Sequence, residues 1–146
     1  MAIVIRILTQ DDYNDALNLW ENCEGMGLND VDDSPQGFAR FLQRNPDSCF
    51  AAVEDGMLVG VILAGHDGRR GHIYHAAVRG DCRRRGVGTL LVNAAMDALR
   101  GLGIRKVALV AFKHNDAGNL FWEKVGFSRR NDLVYRNMTL LETRHQ

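Results

Sequence analysis

The sequence predicts a single α/β (α+β) domain spanning residues 1–146, with a mixed, twisted central sheet flanked by helices in three layers. Three observations predict it. Asp55-Gly56 stands between the apolar runs 49–53 and 57–64, and Asp-Gly in that setting is the strongest short signal for an antiparallel hairpin. A strand-like run at 72–78, a glycine-bearing loop, a helical run at 89–102 and an apolar run at 106–112 form a β-α-β crossover, which joins parallel strands. A sheet holding both must be mixed, with helices covering its two faces. The length of 146 residues matches one such domain, which buries roughly two-thirds of its unfolded surface without disulfides or metals.

Each element follows from local chemistry. Ile3, Ile5 and Ile7 alternate with Val4, Arg6 and Leu8 as a first strand. Thr9, with Asp12 three residues on, is an acidic variant of the capping box, and Tyr13, Leu17 and Trp20 stripe one side of the helix that follows. After Gly25-Met26-Gly27 comes an acidic loop with Asp30, Asp32 and Asp33. Ser34-Pro35 then places an N-cap and a first-turn proline before a second helix carrying Phe38, Phe41 and Leu42. The hairpin and the crossover come next. A helix at 116–125 and a closing strand at 133–141 complete the expected order β-α-α-β-β-β-α-β-α-β.

The loop inside the crossover reads Arg83-Arg84-Arg85-Gly86-Val87-Gly88-Thr89. Glycines let backbone approach a ligand closely, and the helix behind them turns free N–H groups and positive dipole toward an anion. The arginines add cationic donors. A Walker loop needs GxxxxGK[ST] and a dinucleotide loop GxGxxG, and neither is present. What remains is R-x-x-G-x-G, filled by Arg83, Gly86 and Gly88. Further on, Asn115, Gly126 and Phe127 fall in register with N-x-x-A-x-x-x-Y-x-x-x-G-F, with Gly118 at the alanine and Trp122 at the tyrosine position.

Together these motifs resemble the GNAT N-acetyltransferase family, in particular its RimI-like ribosomal-protein and small bacterial acetyltransferases. The resemblance implies acetyl-CoA as cosubstrate, no metal, and transfer of the acetyl group by direct attack of a primary amine, from a small molecule or a peptide N-terminus. It implies a pyrophosphate on the N–H groups of Arg84, Arg85, Gly86, Val87, Gly88 and Thr89. Backbone groups of Ala76, Ala77 and Val78 would pair with the pantetheine arm, the Val78 N–H meeting the thioester carbonyl. Asn115 would hold the arm, flanked by Phe121, Trp122 and Lys124. The strands at 72–78 and 106–112 are expected to splay apart beside the loop, and the family allows a homodimer.

Deprotonating a lysine-like ammonium at pH 7 costs about 4.6 kcal/mol, and an α-ammonium about 1.4 kcal/mol, so a weak base suffices for the latter. Strict alternation puts His72, Tyr74, Ala76 and Val78 on one face and His75 on the other. His72 matches a base position of some family members, and His75 reads as structural. Glu54 in the hairpin is a further carboxylate, expected to be an exposed turn residue. Trp122 stands where the usual acid is a tyrosine, which leaves Tyr74, Tyr135 or water to protonate the thiolate. The acidic loop suits a cationic acceptor, whereas Arg69 and Arg70 suit a carboxylate-bearing one. A non-catalytic acyl-CoA-binding or regulatory module is the alternative reading.

Composition excludes other classes. Lys+Arg and Asp+Glu balance at 18 each, so nothing advertises nucleic acid or anionic membrane as a partner. No apolar run reaches the ~18 residues of a membrane span. Cys23, Cys49 and Cys82 are odd in number and lack CxxC spacing, as expected of reduced thiols in a cytoplasmic protein with neither disulfide nor zinc.

Overall fold

The computed structural model describes residues 2–23 and 25–141. Strand β1 (Ile3–Ile7), helices α1 (Tyr13–Glu21) and α2 (Pro35–Arg44), strands β2 (Phe50–Glu54), β3 (Met57–His66) and β4 (Gly71–Val78), helix α3 (Val87–Gly101), strand β5 (Val107–Leu109) and helix α4 (Asp116–Lys124) follow in chain order. The sheet runs β1-β2-β3-β4-β5 in space. Its first four strands are antiparallel neighbours, and β5 lies parallel to β4. The mixed sheet is therefore present.

Both predicted caps form. Thr9 donates its backbone N–H to the Asp12 carboxylate (2.8 Å), and Arg6 donates two 2.9 Å bonds to the same carboxylate. Ser34 Oγ accepts the Gly37 N–H at 3.0 Å, with Pro35 at the first helical position. Two cores sandwich the sheet. Against α3, Val59, Ile62, Ala64 and Ile73 meet Leu91, Val92, Ala95 and Leu99. Against α1 and α2, Ala51, Val61, Leu63 and Ala77 meet Ala16, Leu19, Trp20, Phe38 and Leu42. Helices on both faces leave β3 buried on each side, which is why its sequence is a continuous apolar run rather than an alternating one.

Three expectations are corrected. The strand at 106–112 is paired only over Val107–Leu109, because the chain leaves β4 after the rung Ile73↔Leu109. The closing strand at 133–141 does not form: that stretch is irregular, with Leu133 62 % and Leu140 85 % exposed. Among the described residues nothing pairs with the outer edge of β5, and an extended run without a ladder partner gains no strand hydrogen bonds. Lastly, β4 is not a simple alternating strand. Its register against β3 jumps from Leu63↔His75 to Ala64↔Ile73, leaving Tyr74 as an inserted residue. This β-bulge shifts the phase of the strand. His72, Tyr74, His75 and Ala77 face α1 and α2, while Ile73, Ala76 and Val78 face α3.

The Arg6–Asp12–Thr9 cluster ties β1 to α1. Burial opposes the Asp12 charge, but the bonds from Arg6 and the Thr9 N–H outweigh it and hold the carboxyl below its ordinary value of 3.8. Arg6 is nearly half exposed, so screening weakens the ionic part and the orphaned Thr9 donor dominates any loss. Asp12→Ala is expected to cost about 1–2 kcal/mol at pH 7 by urea denaturation. Because folding lowers this pKa, the stabilisation is complete above the unfolded value and fades as pH falls through the folded one. The gap between wild type and variant should therefore hold from pH 7 to about 4 and close below it.

Candidate active site

The site grows from the end of a ladder. Gly71, His72 and Ile73 pair with Val107, Ala108 and Leu109, and then β4 and β5 part. Beyond that point, among the described residues, 74–78 have no strand partner on the β5 side, and they line the groove there. Arg83 Nε donates to the Val78 carbonyl at 3.1 Å and closes the far end of this stretch. That bond makes Arg83 a brace for β4 rather than a free cation.

The loop leads into α3 through two left-handed residues, Arg84 (φ 65°) and Gly86 (φ 79°). A non-glycine residue at such φ carries strain of order 1–3 kcal/mol. Gly86 is the N-cap, and nothing lies within 4 Å of where its Cβ would stand. The first bond of α3 runs from Leu90 N–H to Gly86 O (3.0 Å). The N–H groups of Val87, Gly88 and Thr89 precede it and stand in the unbonded first turn, a ready anion site. Gly88 has a different purpose: a Cβ there would lie 3.1 Å from the Phe121 ring. It is small so that α4 can close onto α3. Arg85 is also committed, forming a two-point pair with Glu54, whose Oε1 accepts at 3.0 Å. Arg85 first and foremost draws the Glu54 carboxyl below its usual range, so Glu54 anchors the loop to the hairpin. Arg84 is exposed and takes part in neither contact.

Helix α4 forms the opposite wall. Asn115 caps it, Oδ1 accepting from Gly118 N–H at 3.1 Å. A Cβ on residue 118 would sit 2.5 Å from Asn115 Nδ2, which accounts for glycine where alanine was expected. Phe121, Trp122 and Phe127 stack edge to face at 5.0 and 5.4 Å and rest on the α3 core. Trp122 is thus fixed in place, and its indole carries no dissociable acid in the working range.

These parts line one groove of about 1860 Å³. It exceeds the ~300–1,000 Å³ of an ordinary small-molecule pocket, enough for a long cosubstrate and an acceptor together. Ala76, Ala77, Val78, Arg83, Arg84, Gly86, Val87, Gly88, Thr89, Asn115, Phe121, Trp122 and Lys124 all line it, as do His72, Tyr74 and Tyr135. Arg85 does not. Arg69 and Arg70 do not either; with Arg105 and Lys106 they surround a separate basic recess.

On the α1–α2 side of the groove, the His72 and Tyr74 rings meet at 4.5 Å. Burial pushes the His72 imidazole below its usual value, keeping it neutral near pH 7. Burial, followed by the charges of Asp32, Tyr135 and Asp67, raises the Tyr74 phenol. Tyr135 is 68 % exposed at the mouth. A pair that alternation concealed also lies here: His75 Nε2 is 2.8 Å from Asp33 Oδ1, and both residues line the groove. The sequence shows only that polar and apolar residues stop alternating at Tyr74-His75, which does not say which face His75 takes.

Among the described residues no group of His, Cys, Asp and Glu is placed to hold a metal ion. All three cysteines are free, and burial pushes the Cys49 thiol up to about 12. No helix is long and apolar enough to cross a membrane.

Known proteins agree with this geometry. Residues 10–127 match the family model described as the Acetyltransferase (GNAT) family. An acetyltransferase of Pectobacterium atrosepticum is 32 % identical over 140 residues, covering 96 % of this chain and 97 % of its own. Among solved structures, a ribosomal-protein-alanine N-acetyltransferase from Brucella melitensis biovar Abortus superposes with a TM-score of 0.71 at 20 % identity, covering 96 % of this chain and 100 % of that one. A PaiA N-acetyltransferase from Thermoplasma acidophilum in complex with coenzyme A gives 0.72 at 17 %, over 85 % and 88 %. These two share the fold. The family match over most of the chain, the full-length relative and the groove between β4, α3 and α4 together establish that the chain belongs to the GNAT family of acetyltransferases.

Proposed function

We propose that the groove binds acetyl-CoA with its pyrophosphate on the first turn of α3 and its pantetheine arm along residues 74–78, and that the acetyl group passes to a primary amine entering from the α1–α2 side. One observation carries this reading. The β4–β5 ladder stops at Ile73↔Leu109, so strand-edge donors and acceptors lie open beside the free N–H groups of α3. The first are complementary to amides, the second to phosphate. The residues fit the cosubstrate: Gly86 leaves its approach path empty, and Arg84 supplies a cation. When bound, acetyl-CoA supplies the activated thioester. The chain orients it, with the Ala76, Ala77 and Val78 backbone and the Asn115 side chain along the arm.

The acceptor is a small-molecule amine or a peptide N-terminus. Asp32 and Asp33 on the groove wall favour a cationic one, and the removal of Arg69 and Arg70 to another recess weighs against recognition of a carboxylate. A homodimer is supported by the exposed apolar side chains of Leu133, Val134, Met138, Leu140 and Leu141, and sedimentation analysis tests it. Trp122 leaves the departing thiolate without the family's phenol, so the proton comes from Tyr74, Tyr135 or solvent.

Gly86→Val puts a branched side chain at φ 79° and into the phosphate path. It should weaken acetyl-CoA binding at least ~100-fold by calorimetry, a loss of about 2.7 kcal/mol. Unchanged affinity would sink the phosphate assignment. Trp122→Tyr restores a dissociable phenol at the middle of α4 and is expected to raise kcat ~10-fold or more on amines that score in a panel of amino acids, polyamines and N-terminal peptides. No rise would mean that the thiolate is already protonated by another donor.

A further inference from the structure

Two histidines line the acceptor side of the groove, and the ladder separates them. His72 sits opposite Ala108 within the paired part of β4 and β5, whereas His75 lies two residues past the last rung, in the open stretch. Taking the acetyl-transfer reading as given, we propose that His75, oriented by Asp33, is the general base that deprotonates the acceptor amine.

The geometry is that of an aligned base. His75 Nε2 and Asp33 Oδ1 are 2.8 Å apart, with side chains 11 % and 8 % exposed. With the Asp33 carboxylate as acceptor, the neutral imidazole of this contact carries its proton on Nε2 and leaves Nδ1 its lone pair. Among the described residues Nδ1 has no hydrogen-bond partner. Asp33 is itself held: Oδ2 accepts from Asn29 N–H at 2.9 Å, and its carbonyl accepts the Tyr13 hydroxyl at 2.6 Å. Trp20 from α1 covers the imidazole at 4.8 Å, and Leu63 of β3 stands opposite in register. The other titratable groups on this wall are Asp32, His72, Tyr74 and Tyr135. A carboxylate fixing one imidazole nitrogen and leaving the other unbonded is the recurring arrangement of a base made ready for proton transfer. It exists only because the bulge at Tyr74 turns His75 toward the α1–α2 loop.

In the step, Nδ1 takes a proton from the acceptor ammonium. The freed lone pair forms the C–N bond at the thioester carbonyl carbon, and the C–S bond breaks with its electrons going to sulfur. The nitrogen then sheds its second proton. Of the two protons, one ends on sulfur and one in solvent, and the imidazole is regenerated.

His75→Gln keeps an N–H donor for Asp33 and so preserves the tie between loop and strand, but removes the base. Turnover is compared at pH 7 with n-butylamine, which is an ammonium, and methoxyamine, which is already neutral. The variant should lose about 10²-fold on n-butylamine and less than about 3-fold on methoxyamine, with unchanged acetyl-CoA affinity by calorimetry. ¹⁵N NMR of the ligand-free wild type should show His75 as the Nε2–H tautomer, and Asp33→Asn should shift it toward Nδ1–H. Equal losses on both amines would reduce His75 to a structural tie. A selective n-butylamine loss in His72→Gln instead of His75→Gln, or a wild-type Nδ1–H tautomer, would also overturn the proposal. A wild-type chain that does not bind acetyl-CoA would overturn the cosubstrate reading and leave the NMR result to decide the orientation of His75.

Discussion

The site depends on one inserted residue. Tyr74 has no partner on β3 between Leu63 and Ala64, and the ladder with β5 ends immediately before it. A strand continuing in register would have carried its side chains on alternate faces and kept hydrogen-bonding to β5. The insertion instead increases the local twist and lets β5 diverge. The open backbone at 74–78 and the turn of His75 toward the α1–α2 loop both follow from this local break.

Around that break the remaining interactions act as braces. Arg83 holds the Val78 carbonyl, Arg85 holds Glu54, and Phe121 packs against the backbone of Gly88. Each restrains the loop while leaving the first-turn N–H groups of α3 unbonded. The arginine cluster therefore divides its work, two members fixing the loop and Arg84 remaining exposed. Main-chain N–H groups at the first turn of α3 offer directed hydrogen bonds with no side-chain entropy to lose. This suits a pyrophosphate whose position must be reproducible to within a fraction of an ångström.

The acceptor side is built differently. The α1–α2 loop is tied down by Asp33, which bonds at once to His75, Asn29 and Tyr13, while Tyr74 and Tyr135 stay exposed at the mouth. A rigid floor under an open rim separates the requirements of chemistry from those of recognition. Buried, hydrogen-bonded side chains such as these are held in place, whereas exposed loop residues tolerate change.

The sequence by itself determined the elements whose causes are local. Thr9 with Asp12, Ser34-Pro35, Asp55-Gly56 and the R-x-x-G-x-G loop carry their own hydrogen-bonding and φ requirements within a few residues, so caps, hairpin, crossover and glycine loop were legible, and with them the family. Tertiary structure alone decided what depends on partners distant in the chain. Arg85 meets Glu54 across 31 residues and His75 meets Asp33 across 42, separations over which no periodicity gives information. The stretch 133–141 has strand-like residues but no neighbouring strand to bond with among the described residues. The phase of β4 is not legible in the sequence for a related reason: period 2 holds only while each residue has a partner across the ladder, and whether Tyr74 has one is settled by β3.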